Sequence, residues 1–430
     1  MELIDQEKDL VWICKYQVST LVFMLNDEKI EMDSTNILSI EKLDDYEYNL
    51  RSLIKISLRV DIRQKLWILK NRKDIVVKFV LDKIGMDREI EEFNTNPEEV
   101  WNSEFSIYLN DQDSALDTKS LEESIESNSE TDINDLEDQD YFESNNSFDV
   151  YLFNPKLMNA SNKTFNKVFT EGSLQNFVGE LLTETKHEKV LMSPFENDEI
   201  YKEILIPSNP SYKGLIYLDQ YYGFYKYGAM IFYDVDKLYI INPNGKITAK
   251  EKNEWYETAF LISSRNLSTP GNGMVRKPNE EINYINIPED NIQPQQPSIS
   301  KNAEYGSAAK IVITDDITIE TTEANQSYMN QRNEFLQFNR KEDNKYTLSI
   351  VQARMEENEC IMYINGDNFD ISAFALNKTY KLIFEETSKQ ERYGKNKYRI
   401  AYAYHFIKAE ADSYMTSSHQ IVLKKCSEQD

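Results

Sequence analysis

Cysteine and histidine are scarce in these 430 residues, with three of each. Cys14, Cys360 and Cys426 lie far apart and form no CxxC pair. That argues against a disulfide framework and a cysteine zinc site, and fits synthesis in a reducing cytoplasm. His187, His405 and His419 form no HExxH motif and no pair at ligand spacing. Glycine is also sparse, at 12 residues, and no GxSxG elbow, GxxxxGK[ST] loop or strand-anchored GxGxxG occurs. Gly271-Asn-Gly273 lies among prolines and reads as loop. Basic residues are too few to balance the acids: 48 Lys and Arg against 74 Asp and Glu leave a net charge of -26. Such a surface argues against a grip on nucleic acid phosphates or on an anionic membrane leaflet. Apolar runs stay short, as in Val11-Trp-Ile-Cys14, and none approaches the ~20 residues that span a bilayer. Met1-Glu-Leu-Ile-Asp-Gln-Glu7 is acidic where a secretory signal would be basic, so no signal peptide is expected.

What remains is rich in aromatics. They make up 12% of the chain, with 27 tyrosines, within a hydrophobic content of 40%. Those rings suffice for sizeable cores and lean toward strands. At roughly 100–200 residues per domain, the length predicts two to four domains.

Composition divides the chain. Residues 110–149 hold 14 acids and one lysine, Lys119, for a net of -13. This segment reads as a flexible acidic insertion, because it cannot bury enough apolar surface to offset its ordering entropy. Residues 268–302 carry five of the 11 prolines and read as a linker or wrapping loop. In the first block, 1–109, Ile54-Lys-Ile-Ser-Leu-Arg-Val60 and Phe105-Ser-Ile-Tyr-Leu109 alternate as half-buried strands do. The run from Ile75 to Ile84 fits a strand or a buried helix.

In the block 150–245, Leu174, Phe177, Val178, Leu181 and Leu182 form one helical face that starts at Gly172-Ser173. Ser208-Asn-Pro210 predicts a second helix ending near Gly223. Met230–Tyr233 and Leu238–Ile241 predict a hairpin around Asp234-Val-Asp-Lys237. In 303–425, seven short strands predict an antiparallel barrel or sandwich: 310–314, 317–321, 346–351, 361–364, 380–384, 398–406 and 421–423. Residues 426–430 are a tail.

Chemistry is thin. His405, flanked by Tyr404 and Phe406, reads as a barrel or interface histidine, and His187 and His419 as surface. Asp111-Gln-Asp113 and Asn365-Gly-Asp-Asn-Phe-Asp370 lack the twelve-residue calcium-loop pattern. Seventy-four acids supply so many carboxylate pairs that pairing carries no signal. No catalytic residue, cofactor or metal is nominated. The rings of Tyr217, Tyr221, Tyr222, Phe224, Tyr225 and Tyr227 suit core or interface packing, with a glycan-stacking platform as the other reading.

Val190-Leu-Met-Ser-Pro194, Glu199-Ile-Tyr-Lys-Glu-Ile-Leu-Ile-Pro207 and Leu215-Ile-Tyr-Leu-Asp-Gln-Tyr-Tyr-Gly-Phe-Tyr225 run in series. The hairpin Phe232-Tyr-Asp-Val-Asp-Lys-Leu-Tyr239 completes them. With Lys378-Thr-Tyr-Lys-Leu-Ile-Phe384, Tyr393-Gly-Lys-Asn-Lys-Tyr-Arg399 and Leu423-Lys-Lys425, the sequence resembles the central-hub proteins of contractile phage tail baseplates. The resemblance starts near residue 165, and its motifs are structural. It implies a mainly β (α+β) chain with two tail-tube-like antiparallel β-barrel domains and an inserted helix-rich domain. The first barrel would begin in 1–109, be interrupted by 150–245, and regain strands from 246–267; the second would be 303–425. It further implies a homotrimer in the virion baseplate, assembled in the host cytoplasm. The trimer would join the sixfold tail tube to the threefold central spike and the baseplate wedges, and DNA would pass its channel without specific binding. Two other classes stay open: a tail-tip cell-wall hydrolase and a glycan-binding receptor module.

Overall fold

The computed structural model of the chain describes residues 10–46, 53–87, 92–93, 97–109, 147–243, 257–263, 274–276, 282–295, 310–313, 318–320, 335–338, 360–369, 371, 380–410 and 414–426. The fold is mainly β. The chain opens with β1 (Leu10–Leu25), β2 (Glu28–Glu31), β3 (Ile37–Asp45) and β4 (Ile54–Arg59). In β1, Cys14, Tyr16 and Val18 point inward, and a bulge before Thr20 moves the inward set to Leu21 and Phe23. Asp61 and Gln64 form a reciprocal capping box that starts α1 (Ile62–Asn71). Then come β5 (Val76–Asp87), β6 (Glu92–Phe93), β7 (Glu98–Tyr108) and β8 (Ser147–Phe153). The ambiguous run from Ile75 is therefore a strand: Val77, Phe79 and Leu81 alternate into the core while β1 and β7 pair its two edges. Because β8 begins at Ser147, the acidic segment ends before it; residues 110–146 lie outside the described residues.

Next come α2 (Pro155–Asn162), β9 (Thr164–Ser173), α3 (Leu174–Thr185), β10 (Val190–Met192), β11 (Ile200–Pro210), α4 (Ser211–Tyr222), β12 (Met230–Asp234) and β13 (Lys237–Ile241). The amide of Asn176 donates to the Ser173 hydroxyl at 3.3 Å, the cap expected for α3. The second helix is present as expected and differs only at its start. Asn209 and Pro210 still pair with Phe165 and Thr164, so β11 consumes the expected helix start and α4 begins at Ser211. It stops at Gly223, whose φ of 72° suits glycine.

The remainder is β14 (Glu257–Ser263), β15 (Met274–Arg276), β16 (Ile282–Pro288), β17 (Ile292–Gln295), β18 (Lys310–Ile313), β19 (Thr318–Glu320), β20 (Phe335–Phe338), β21 (Ile361–Asp367), β22 (Tyr380–Phe384), α5 (Thr387–Arg392), β23 (Lys397–Ala409) and β24 (Met415–Lys425). Two expectations change here. The proline-rich stretch contains three strands, and Pro294 is accommodated because β17 ends the order of the main sheet. Strand β14 pairs in parallel with β16 and β22 and does not return to the first block, since Phe260 and Ile262 bury among the second block's apolar residues. The expected strand at 346–351 lies outside the described residues; β18, β19 and β20 form a small sheet of their own.

Strand pairing in the main sheet closes on itself twice. One circuit runs β1, β5, β7, β8, β4, β3, β23, β24 and back to β1 through Tyr16 opposite Met415. The other runs β1, β15, β16, β14, β22, β23, β24 and back through the same contact. Three cores result. The first centres on Phe23, Ile56, Phe79 and Phe148, and the second on Phe260, Tyr380, Tyr398 and Leu423. The third, in the helical block, gathers Phe177, Leu181, Ile206, Leu215 and Phe224.

Candidate functional site

Three adjacent strands cross from the first core to the second, and each turns polar midway. On β3 and the residue that follows it the inward series is Ile40, Lys42, Asp44, Tyr46; on β23 it is Ala403, His405, Ile407; on β24 it is Met415, Ser417, His419, Ile421. Register sets His405 opposite both Lys42 and His419, and His419 opposite Gly366 of β21. The result is a buried polar node between two apolar cores.

The Lys42 ammonium is 3% exposed. It donates to Asp44 on its own strand and, at 2.8 Å, to Asp234 at the end of β12. The Trp101 ring faces it at 5.2 Å. Burial works against this charge, but the Asp234 and Asp44 carboxylates outweigh it and hold the pKa above the usual lysine value. Burial likewise opposes the Asp44 carboxylate, and Lys42 with His405 overrides it, lowering its pKa to about 2. The Tyr46 hydroxyl hydrogen-bonds Asp44, and burial beside the carboxylates pushes its pKa well up.

The histidines complete the node. His405 Nε2 lies 3.5 Å from Asp44 Oδ2, and its Nδ1 faces His419 Nδ1 at 2.8 Å. Two facing nitrogens at that distance share one proton, so one ring donates and the other accepts. His419 Nε2 sits 2.8 Å from the Ser417 hydroxyl. Burial, followed by the neighbouring His405, lowers the His419 pKa well below its usual value. The Phe369 ring stacks on His419 at 5.6 Å and packs over Gly366, where an added Cβ would lie 2.0 Å from that ring. Tyr16 anchors the segment after β21 by donating to the Phe369 carbonyl at 2.6 Å.

His419, expected at the surface, is thus 1% exposed in β24. Its Ser-Ser-His-Gln context looks like a turn, yet strand parity puts Ser417 and His419 inward with Met415 and Ile421. His405 is buried inside the same wall. His187 is also half-buried. The Thr185 hydroxyl donates to the Leu181 carbonyl at 2.7 Å, so it accepts from His187 Nδ1, leaving Nε2 to accept from the Tyr233 hydroxyl at 2.8 Å. Burial lowers the His187 pKa to about 4.

The tyrosine-rich turn after α4 is built on buried polar anchors. Asp219 accepts from the amides of Phe224 and Ala229, both at 3.1 Å. Asn197 donates to the Tyr222 and Gly223 carbonyls at 2.9 Å. Phe224 and Tyr225 are fully buried, whereas Tyr221 is exposed beside Tyr217. A cavity of about 370 Å³ lies between β7 and the helical block, near Phe105, Lys156 and His187. Two of its three lysines are paired, Lys156 with Glu188 and Lys189 with Asp236. Among the described residues no group of three or more His, Cys, Asp and Glu is placed to hold a metal ion, and no helix is long and apolar enough to cross a membrane.

A family described as "Bacteriophage PBS1 gene 109 protein" matches residues 11–426. No curated protein matches the sequence. Among solved structures, the tail protein from Neisseria meningitidis MC58 is similar with TM-score 0.50 at 8% identity, over 96% of this chain and 96% of that one. A 43 kDa tail protein of prophage MuSo2 from Shewanella oneidensis gives TM-score 0.46 at 10% identity, over 94% and 96%. The E. coli c3393 protein, a component of the type VI secretion system similar to T4 tail proteins gp27 and gp5, gives 0.41 at 7% identity, over 94% and 77%. The Neisseria protein shares the fold.

Proposed function

The chain belongs to the Bacteriophage PBS1 gene 109 protein family, and from that membership we propose that it is the trimeric central hub of a contractile tail baseplate. In this reading each closed strand circuit is one tail-tube-like barrel. One chain carries two, so three chains present six barrels to the sixfold tube and threefold symmetry to the spike. The observation that carries the reading is the double closure of one sheet within one chain. The first barrel draws on residues 10–109, β8 and the C-terminal hairpin, the second on 257–295 and 360–426, and the helical block at 150–245 is inserted between them. Tube, spike and wedge proteins would be the partners, and the virion tail the location.

A non-enzymatic role is supported by the node itself. Lys42, Asp44, His405 and His419 are buried between two apolar cores and contact one another, as the members of a structural seam do. The charge outside 110–149, -13 of the total -26, would help a channel release DNA by repulsion. Antibody labelling of assembled tails tests the placement. Label on the axis between tube and spike is expected, and label on the sheath or fibres would refute the hub.

A further inference from the structure

We infer that the C-terminal hairpin β23–β24 is a completion lock. Neither strand circuit closes, and the buried node is not satisfied, until the chain as far as Cys426 is paired, so the three cores fold and open as one unit. The inference rests on register, burial and the contacts of the node, and holds or fails independently of the hub reading.

Both circuits pass through the same three strands, β23, β24 and β1. The second half of β23, from Tyr402 to Lys408, pairs with Asp45 to Ser39 and closes the first circuit. Its first residues pair with β22, Tyr398 opposite Tyr380, and close the second. Side chains divide the same way: Ile407 and Met415 bury in the first core, whereas Ile400, Ile421 and Leu423 bury in the second. Before these last strands are made, the sheet edge of β3 stands open and both cores lack a wall.

A second hairpin joins the third core. Met230, Phe232 and Ile241 of β12–β13 face the second core, while Ile231, Tyr233, Leu238 and Ile240 face the third. Strand parity makes both faces buried, so this hairpin belongs to two cores at once. Its turn delivers Asp234 to Lys42.

The node makes partial folding costly. Lys42 on β3 needs Asp234 from one hairpin, and Asp44 on β3 takes a contact from His405 on the other. A form with one core packed and another open would leave a buried charge short of a partner, which is penalised far more than exposing an apolar side chain. Polar groups placed where three elements meet thus reward only the complete structure. A chain of this length otherwise unfolds in steps, domain by domain, so unified opening is a distinctive outcome.

Native-state hydrogen exchange on the full-length chain tests this. The slowest amides of β5, β16 and α3, one element per core, should share one opening constant in the wild type. Ile421→Ala, which hollows only the second core, should speed exchange in all three by the same factor, about 30-fold or more for a buried Ile→Ala cavity. If Ile421→Ala does not yield soluble protein, Ile421→Val should raise all three together by about 2- to 12-fold. Wild-type protection surviving in β5 while β16 loses it would overturn the lock. Distinct opening constants in the wild type would overturn it as well.

Discussion

At the scale of single residues, the node turns three strands that would otherwise be apolar into a charge-matched seam. Removing one member is costly because the others stay buried. Lys42→Ala would leave Asp44 and Asp234 without their cation, and a loss of about 3–5 kcal/mol in denaturant unfolding is expected. A loss under ~1 kcal/mol would mean that water reaches the carboxylates.

Acid should act in two stages. The depressed His187 and His419 values mean that the fold favours neutral rings. Their contribution is complete above the unfolded value near 6.5 and is lost as pH falls, for His187 through about 4. The Asp44 contribution is present above about 3.8 and is lost as pH falls through about 2. Melting temperature should therefore drop between pH 7 and 4 and go on falling below, where the loss of the Asp44 contribution takes over. His187→Gln should flatten the first stage, whereas an unchanged slope would show that this ring does not titrate with unfolding.

Little of this node was legible from sequence. His405 falls in phase with Ala403 and Ile407, which points it inward. On β3, however, the usual order is inverted: Lys42 and Asp44 face inward while Leu43 is 39% exposed. Alternation there reads as an amphipathic strand with the wrong face buried, and only its distant partners explain the inversion.

At the scale of elements, local signals served where the stabilising contacts are local. The α3 face and its Ser173 cap were both readable, and Ser173→Ala should cost about 1 kcal/mol by chemical denaturation. No change would mean that the cap is replaced by water. The Asp61–Gln64 box shows that α1 too carried a readable start. Helix α4 and its glycine stop were readable too, and only its start misled, because Ser-Asn-Pro suits a strand end as well as a helix start. The choice is made by cross-strand partners on β9, and Ser211 turns its hydroxyl to the Ala160 and Ser161 carbonyls. Proline density also misled, since an edge strand tolerates Pro294.

At the scale of the whole molecule, nothing local announces that strands more than 350 residues apart close a circuit, as Tyr16 and Met415 do. Reading the last block as a self-contained barrel assigned β23 and β24 to one core, whereas they wall two. The split in charge has a consequence here. Residues 110–146 carry 13 acids and one lysine, so replacing them with a short Gly-Ser linker removes a net -12 without touching a described core residue. Melting temperature should stay within about 1 °C, since 1 kcal/mol shifts a 150–250-residue domain by about 2–4 °C and a larger one by less. A larger fall would show that this segment packs.

The most direct measurement is the mass of the purified full-length chain by light scattering. Three copies of the 50.5 kDa chain are expected in one particle. A 50.5 kDa monomer at every concentration reached would contradict the hub.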